Sequence, residues 1–291
     1  MNSKSNMSQG SLHKVLCGGA FGLYHMAYRE WGDPANPRVL LCVHGLTRNS
    51  LDFERMAQSL SSHYRVIAPD VVGRGESDSL VDPMGYNTVT YAADMITLIA
   101  HLNVPQVDWL GTSMGGMVAM LLAGQPNSPI RRLILNDVGP TLSLEALKRI
   151  VGYVGSPYEF ADLETARRYV RLIFTPFALK TEADWDALIV STLKPLPNGG
   201  YRFNYDKNIS KPLQAALLGT DINLWPMYDR IQCPTLLLHG ELSDLLSPTT
   251  ALEMTQRGPR AVLKTVAGVG HAPMLMSDDQ IALVRDFLES A

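Results

Sequence analysis

The stretch that most constrains this chain is Gly111-Thr112-Ser113-Met114-Gly115-Gly116, because of what flanks it. The apolar run Val107 to Leu110 precedes it, and Met114 to Ala123 carries apolar residues at helical spacing. Glycines two residues before and two after a serine let a strand turn sharply into a helix without side-chain clashes. That junction leaves the Ser113 hydroxyl exposed above the strand ends, with a helix N-terminus beneath it.

The remaining chain fits the same frame. Arg38 to Val43, Tyr64 to Ala68, Arg132 to Leu135, Thr235 to Leu238 and Ala261 to Val266 are short, nearly continuous apolar runs, as strands covered on both faces require. They alternate with the helix-patterned segments Tyr91 to Leu102, Met114 to Ala123 and Asp278 to Leu288, which predicts an α/β fold with a mainly parallel sheet. Leu12 to Trp31 reads as a strand pair with Gly18-Gly19 at the turn. From about Thr141 to Asp229 the alternation stops and helical segments take over, at Ser143 to Val154, Leu163 to Phe174, Glu182 to Leu193 and Pro212 to Leu218. The expected organisation is a disordered tail over 1–11, a core over 12–140 and 230–291, and a helical cap over 141–229.

Charge narrows the possible partners. With 25 Lys+Arg against 28 Asp+Glu in 291 residues, the formal charge of −3 leaves no basic surplus for nucleic acid or anionic membrane. The polar N-terminal stretch lacks the apolar run of a secretion signal and no segment is apolar for the ~20 residues of a membrane span, so a cytoplasmic location is expected. Cys17, Cys42 and Cys233 are odd in number, and two lie in or beside strand-like runs; they read as small buried hydrophobes rather than disulfide partners.

A serine hydroxyl is a weak nucleophile unless a base removes its proton. Of seven histidines, His271 lies in the loop Gly268-Val269-Gly270-His271-Ala272-Pro273, between a strand and the last helix, a place suited to catalysis. His44 and His239 each end an apolar run and are expected to bond backbone instead. The base needs an acid to orient it. Asp244, in His239-Gly240-Glu241-Leu242-Ser243-Asp244, is the expected acid, since the order Ser113, Asp244, His271 is that of elbow-type hydrolases. Asp137, after the preceding strand, is the rival, and Glu241 the third option. Two backbone N–H groups must meet the oxyanion, and Met114, next to the nucleophile, and Leu46, in the turn His44-Gly45-Leu46-Thr47, are the expected donors. Trp185, Tyr158, Phe174 and Phe177 could line an acyl pocket, although helical-face residues of this kind are more often core, and Arg48, Asn49 and Arg202 could meet a substrate carboxylate, although solvated surface is the expectation for each. No HExxH or paired-cysteine spacing occurs, so no metal is expected.

On these residues, with Pro69-Asp70-Val71-Val72-Gly73-Arg74-Gly75-Glu76-Ser77 resembling the family's turn after the fourth strand, the chain resembles the capped branch of the α/β-hydrolase fold superfamily. The resemblance implies a twisted, mostly parallel eight-stranded sheet flanked by helices, an inserted helical cap, and a cofactor-free mechanism. The function it implies is a serine hydrolase acting through an acyl-enzyme on a small ester, thioester or lactone. Carbon–carbon bond hydrolysis of diketone-like substrates and a non-catalytic receptor retaining the triad are the alternatives.

Overall fold

The computed structural model describes residues 10–290 apart from 21, 156 and 220. Eight strands form one sheet: β1 (Ser11–Gly19), β2 (Gly22–Trp31), β3 (Val39–Val43), β4 (Arg65–Pro69), β5 (Val107–Thr112), β6 (Ile130–Asn136), β7 (Thr235–Gly240) and β8 (Val262–Val266). Their spatial order is β1-β2-β4-β3-β5-β6-β7-β8. The β1–β2 and β2–β4 pairs are antiparallel, and all later neighbours are parallel. The tail expected over 1–11 lies outside the described residues for 1–9, and Ser11 already begins β1. The first hairpin turns later than expected. Gly18 and Gly19 still pair in the ladder, with Leu23 and Gly22, and Gly22 supplies the positive φ of 98° at the start of β2.

Helices α1 (Glu54–Leu60), α2 (Thr88–His101), α3 (Met114–Ala123), α9 (Pro248–Met254) and α10 (Asp278–Glu289) accompany the sheet, while α4 (Leu144–Tyr153), α5 (Leu163–Ile173), α6 (Glu182–Thr192), α7 (Ser210–Ala216) and α8 (Trp225–Tyr228) fall between β6 and β7. Two core helices, α1 and α9, have seven residues each, too few for a readable 3.6-residue period, so the sequence pattern did not mark them.

The period-2 pleat of β3 divides the core into two layers. Val39, Leu41 and Val43 face the layer holding Met95 and Leu98 of α2 with Val118 and Met120 of α3. Leu40 and Cys42 face the other, with Met56 and Leu60 of α1 and Ile281, Val284 and Leu288 of α10. Each such aliphatic side chain, fully withdrawn from water, contributes roughly 1.5–3 kcal/mol of transfer free energy. That double coverage explains why β3 reads as an unbroken apolar run.

The segment between β6 and β7 has its own apolar nucleus. Residues 159–160, 193–195 and 201–203 form a small antiparallel sheet. On it Phe203, 1% exposed, meets Phe160 edge-on at 5.5 Å and stacks on Tyr205 at 5.3 Å. The loops at the C-terminal ends of β3, β5, β6 and β8 then carry the residues singled out by their chemistry, where open α/β sheets place their ligands.

Candidate active site

Ser113 follows β5 directly, at φ 51° and ψ −113°, a conformation that non-glycine residues rarely hold. The surrounding glycines make that bend fit. A Cβ on Gly115 would stand 2.1 Å from the carbonyl oxygen of Val43, and one on Gly111 would lie 2.4 Å from that of Gly115. Only bare backbone lets α3 press this closely against β3 and β5. Ser113 occupies the N-cap position of α3 without capping it, so its hydroxyl is free for other work.

That hydroxyl lies 3.0 Å from His271 Nε2, and His271 Nδ1 lies 2.8 Å from Asp137 Oδ2. A carboxylate only accepts, so Nδ1 carries the ring hydrogen and Nε2 is left to accept the serine proton. Asp137 is completely buried and its other oxygen, Oδ1, accepts the Gly240 N–H at 2.8 Å. The histidine loop is anchored from two further sides. Asn136 Nδ2 donates to the Pro273 carbonyl at 2.8 Å, and the Gly270 N–H donates to the Pro176 carbonyl at 2.7 Å.

The expectation for the acid is therefore corrected: Asp244 is not beside His271. It is half exposed and pairs at 3.0 Å with Arg149 of α4, because its loop continues four residues past β7 before the side chain turns outward. Glu241 is likewise exposed and accepts from the Gly268 N–H. Asp137, the rival, immediately follows β6 with φ 53°, a left-handed conformation aspartate tolerates better than most residues, and this turn aims it at the histidine loop.

Leu46 and Met114 line one cavity with Ser113, and neither N–H finds a hydrogen-bond partner among the described residues. The turn carrying Leu46 is pinned by His44, whose Nδ1–H donates to the Gly45 carbonyl at 2.6 Å while Nε2 accepts the Val71 N–H at 3.0 Å. Desolvation pushes the His44 pKa down to about 3, which keeps the ring neutral and this two-sided bond intact. His239 donates to the Leu246 carbonyl, also a backbone role.

The cavity measures about 200 Å³, the share of only a handful of waters at ~30 Å³ each. Its walls are mostly aliphatic: Leu142, Leu147, Ile150, Leu213, Ala216 and Ile222 join Val138 and Met117. The aromatic candidates Trp185, Tyr158, Phe174 and Phe177 lie elsewhere, as do the cations. Arg48 and Asn49 are buried and committed to Asp52 and to Ser191 of α6, and Arg202 donates to the Tyr158 hydroxyl. Among the described residues no group of three or more His, Cys, Asp or Glu could hold a metal ion, and no helix is long and apolar enough to cross a membrane.

Comparison with known proteins agrees with this geometry. The sequence profile of the alpha/beta hydrolase fold matches residues 38–277. A 3-hydroxybutyrate-oligomer hydrolase of Cupriavidus necator is 44% identical over 284 residues, covering 95% of this chain and 97% of that protein. A 2-(acetamidomethylene)succinate hydrolase of Mesorhizobium japonicum is 26% identical, covering 80% and 81%. The crystal structure of an alpha/beta hydrolase from Novosphingobium aromaticivorans superimposes with a TM-score of 0.85 at 35% identity, over 97% of this chain and 99% of that one. With its strand order, its strained serine turn and these relatives, the chain belongs to the alpha/beta hydrolase fold family and is an enzyme.

Proposed function

We propose that the protein is a serine ester hydrolase whose substrates are short oligoesters of a hydroxy acid of the 3-hydroxybutyrate class. The observation that carries this reading is the Ser113–His271–Asp137 chain, at 3.0 and 2.8 Å, opening into a small apolar cavity beside two uncommitted backbone N–H groups. The relative from Cupriavidus necator supports the substrate class.

In this mechanism Ser113 Oγ attacks the ester carbonyl carbon as its proton passes to His271 Nε2. The N–H groups of Leu46 and Met114 receive the oxyanion, and Asp137 holds the imidazolium in place. Collapse breaks the ester C–O bond, with His271 returning the proton to the departing hydroxyl. Water then repeats the sequence on the acyl-enzyme and frees the acid. Residues 141–229 act as the cap that closes the acyl side, since Leu142, Leu147, Ile150 and Leu213 come from that segment. Among the described lining residues there is no Lys or Arg, so the free carboxylate of an oligomer is left at the solvent end, and a dicarboxylate substrate would find no cation inside.

The test is labelling by a fluorophosphonate located by mass spectrometry, together with turnover of 3-hydroxybutyrate dimers and trimers. Labelling at Ser113 and release of monomer are expected. Labelling elsewhere, or turnover of lactones or diketones but not of the oligoesters, overturns the reading.

A further inference from the structure

A buried tyrosine that lines the cavity carries a hydroxyl whose proton finds no acceptor among the described residues. This is Tyr91, on α2 and 2% exposed, which shares the lining with Ser113, Leu46 and Met114. Arg74 Nη1 donates to the Tyr91 oxygen at 2.9 Å, which uses that oxygen as an acceptor and leaves its O–H to donate elsewhere. Among the described residues nothing receives it. Apart from the partly exposed Thr88 at the start of α2, the other polar groups in the wall are spoken for or wet. The Tyr86 hydroxyl donates to Asp206 at 2.6 Å and accepts the Leu80 N–H at 2.8 Å. Asn87 caps α2 with its oxygen and donates to the Met84 carbonyl with its nitrogen, and Thr141 is exposed.

Arg74 explains why the Tyr91 hydroxyl is held where it is. Arg74 is 1% exposed and has no carboxylate partner among the described residues. It donates to the Leu46 carbonyl at 2.9 Å and the Val72 carbonyl at 2.8 Å, and approaches Met114 Sδ at 3.7 Å. It also lies over the Tyr91 ring at 5.0 Å. One rigid group therefore fixes the Tyr91 hydroxyl relative to both residues whose amides receive the oxyanion. Burial pushes the Tyr91 hydroxyl up, more than the facing Arg74 lowers it, so it stays a protonated donor through the neutral range.

We infer that Tyr91 is a specificity-determining residue that donates a hydrogen bond to an oxygen on the third carbon of the acyl chain, so that the site prefers 3-hydroxyacyl esters to plain acyl esters of equal length. The inference rests on the ester-hydrolase reading above. An acyl group whose carbonyl oxygen sits at the Leu46 and Met114 amides carries its third carbon only two bonds beyond the carbonyl carbon, within the small space these residues enclose. An acyl chain without that oxygen leaves a buried donor unpaired, and sites built this way discriminate strongly against the missing group.

The experiment compares kcat/KM for p-nitrophenyl 3-hydroxybutyrate and p-nitrophenyl butyrate in the wild type and in Tyr91→Phe. The wild type is expected to favour the hydroxylated ester, and the ratio is expected to fall roughly tenfold to a hundredfold in the variant. An unchanged ratio overturns the inference. So does an equal fall in kcat on both esters, which would make the hydroxyl a third oxyanion donor. Fluorophosphonate labelling of Ser113 in the variant, which needs no 3-oxygen, reports whether its site is assembled; if it does not label, a wild-type ratio at or below one overturns the inference by itself. Failure of the wild type to hydrolyse either ester would instead remove the ester-hydrolase reading on which it stands.

Discussion

Asp137 holds two hydrogens at once, the ring N–H of His271 and the Gly240 amide N–H, from a fully buried position. Converting it to asparagine offers a donor where two donors already point, so the imidazole loses its orientation and its charge compensation. Asp137→Asn is expected to lower kcat by on the order of 10³–10⁴, measured on a 3-hydroxybutyrate oligomer, while Asp244→Asn changes it by no more than a few-fold. Asp244 only pairs with Arg149 on a half-exposed surface, where an ion pair is worth about 1 kcal/mol or less. The serine and the histidine were legible because each lies in a local pattern, GTSMGG after a strand and a glycine-rich loop before the last helix. The acid was not. The two aspartate candidates follow neighbouring parallel strands, β6 and β7, and what separates them is the left-handed turn at Asp137 and the pull of Arg149 on Asp244, a contact across 95 residues. Tyr91 was hidden for a related reason: its role depends on Arg74, whose segment reads in sequence as a structural turn.

At the scale of elements, the approach of α3 to β3 is set by an absent side chain. Gly115→Ala would place a methyl 2.1 Å from the Val43 carbonyl oxygen and 3.0 Å from its Cβ, both on a strand with no freedom to give. The helix must shift away, carrying Met114 and the serine turn with it. A loss of kcat by tenfold or more is expected, with a lowered melting temperature, and a variant with wild-type kcat would show that the elbow tolerates the displacement. The segment between β6 and β7 depends on its aromatic nucleus. Phe203→Ala removes the ring that joins Phe160 and Tyr205 and should destabilise the fold by roughly 3–5 kcal/mol, read from urea unfolding. The long sheet strands and the longer helices were readable to within a few residues because parallel strands buried on both faces and amphipathic helices have distinct periods, whereas α1, α9 and the short strands between β6 and β7 were not. The walls of the cavity were less so. The sequence drew attention to Trp185, Tyr158, Phe174 and Phe177, whereas aliphatic residues of the inserted segment face Ser113, since a helical period identifies an apolar face without saying what that face covers.

Across the whole molecule, two buried titrating groups on different elements work against each other as pH falls. His44, under the turn that carries Leu46, has its pKa depressed from 6.5 to about 3 by desolvation, so the unfolded chain takes up its proton first and stability is lost as pH drops from 6.5 towards 3. Asp94 on α2 is raised from 3.8 to about 6, chiefly by desolvation, although the Tyr24 hydroxyl donates to it at 2.8 Å and the Cys17 thiol also favours the charged form. Here the folded state binds the proton first, so stability is gained as pH drops from 6 to 3.8 and is lost again as pH rises through that window. At 1.36 kcal/mol per unit the two contributions come to roughly 5 and roughly 3 kcal/mol, of opposite sign. The wild type should therefore lose stability only moderately between pH 6.5 and 4.5. In Asp94→Asn the opposing contribution is gone: the variant should match or exceed the wild type at pH 7, where the wild type keeps a charged carboxylate buried, and fall more steeply with acid. Denaturant unfolding of both proteins at pH 7 and pH 4.5 measures this, and parallel pH slopes would mean that Asp94 is not the group that cushions the acid side.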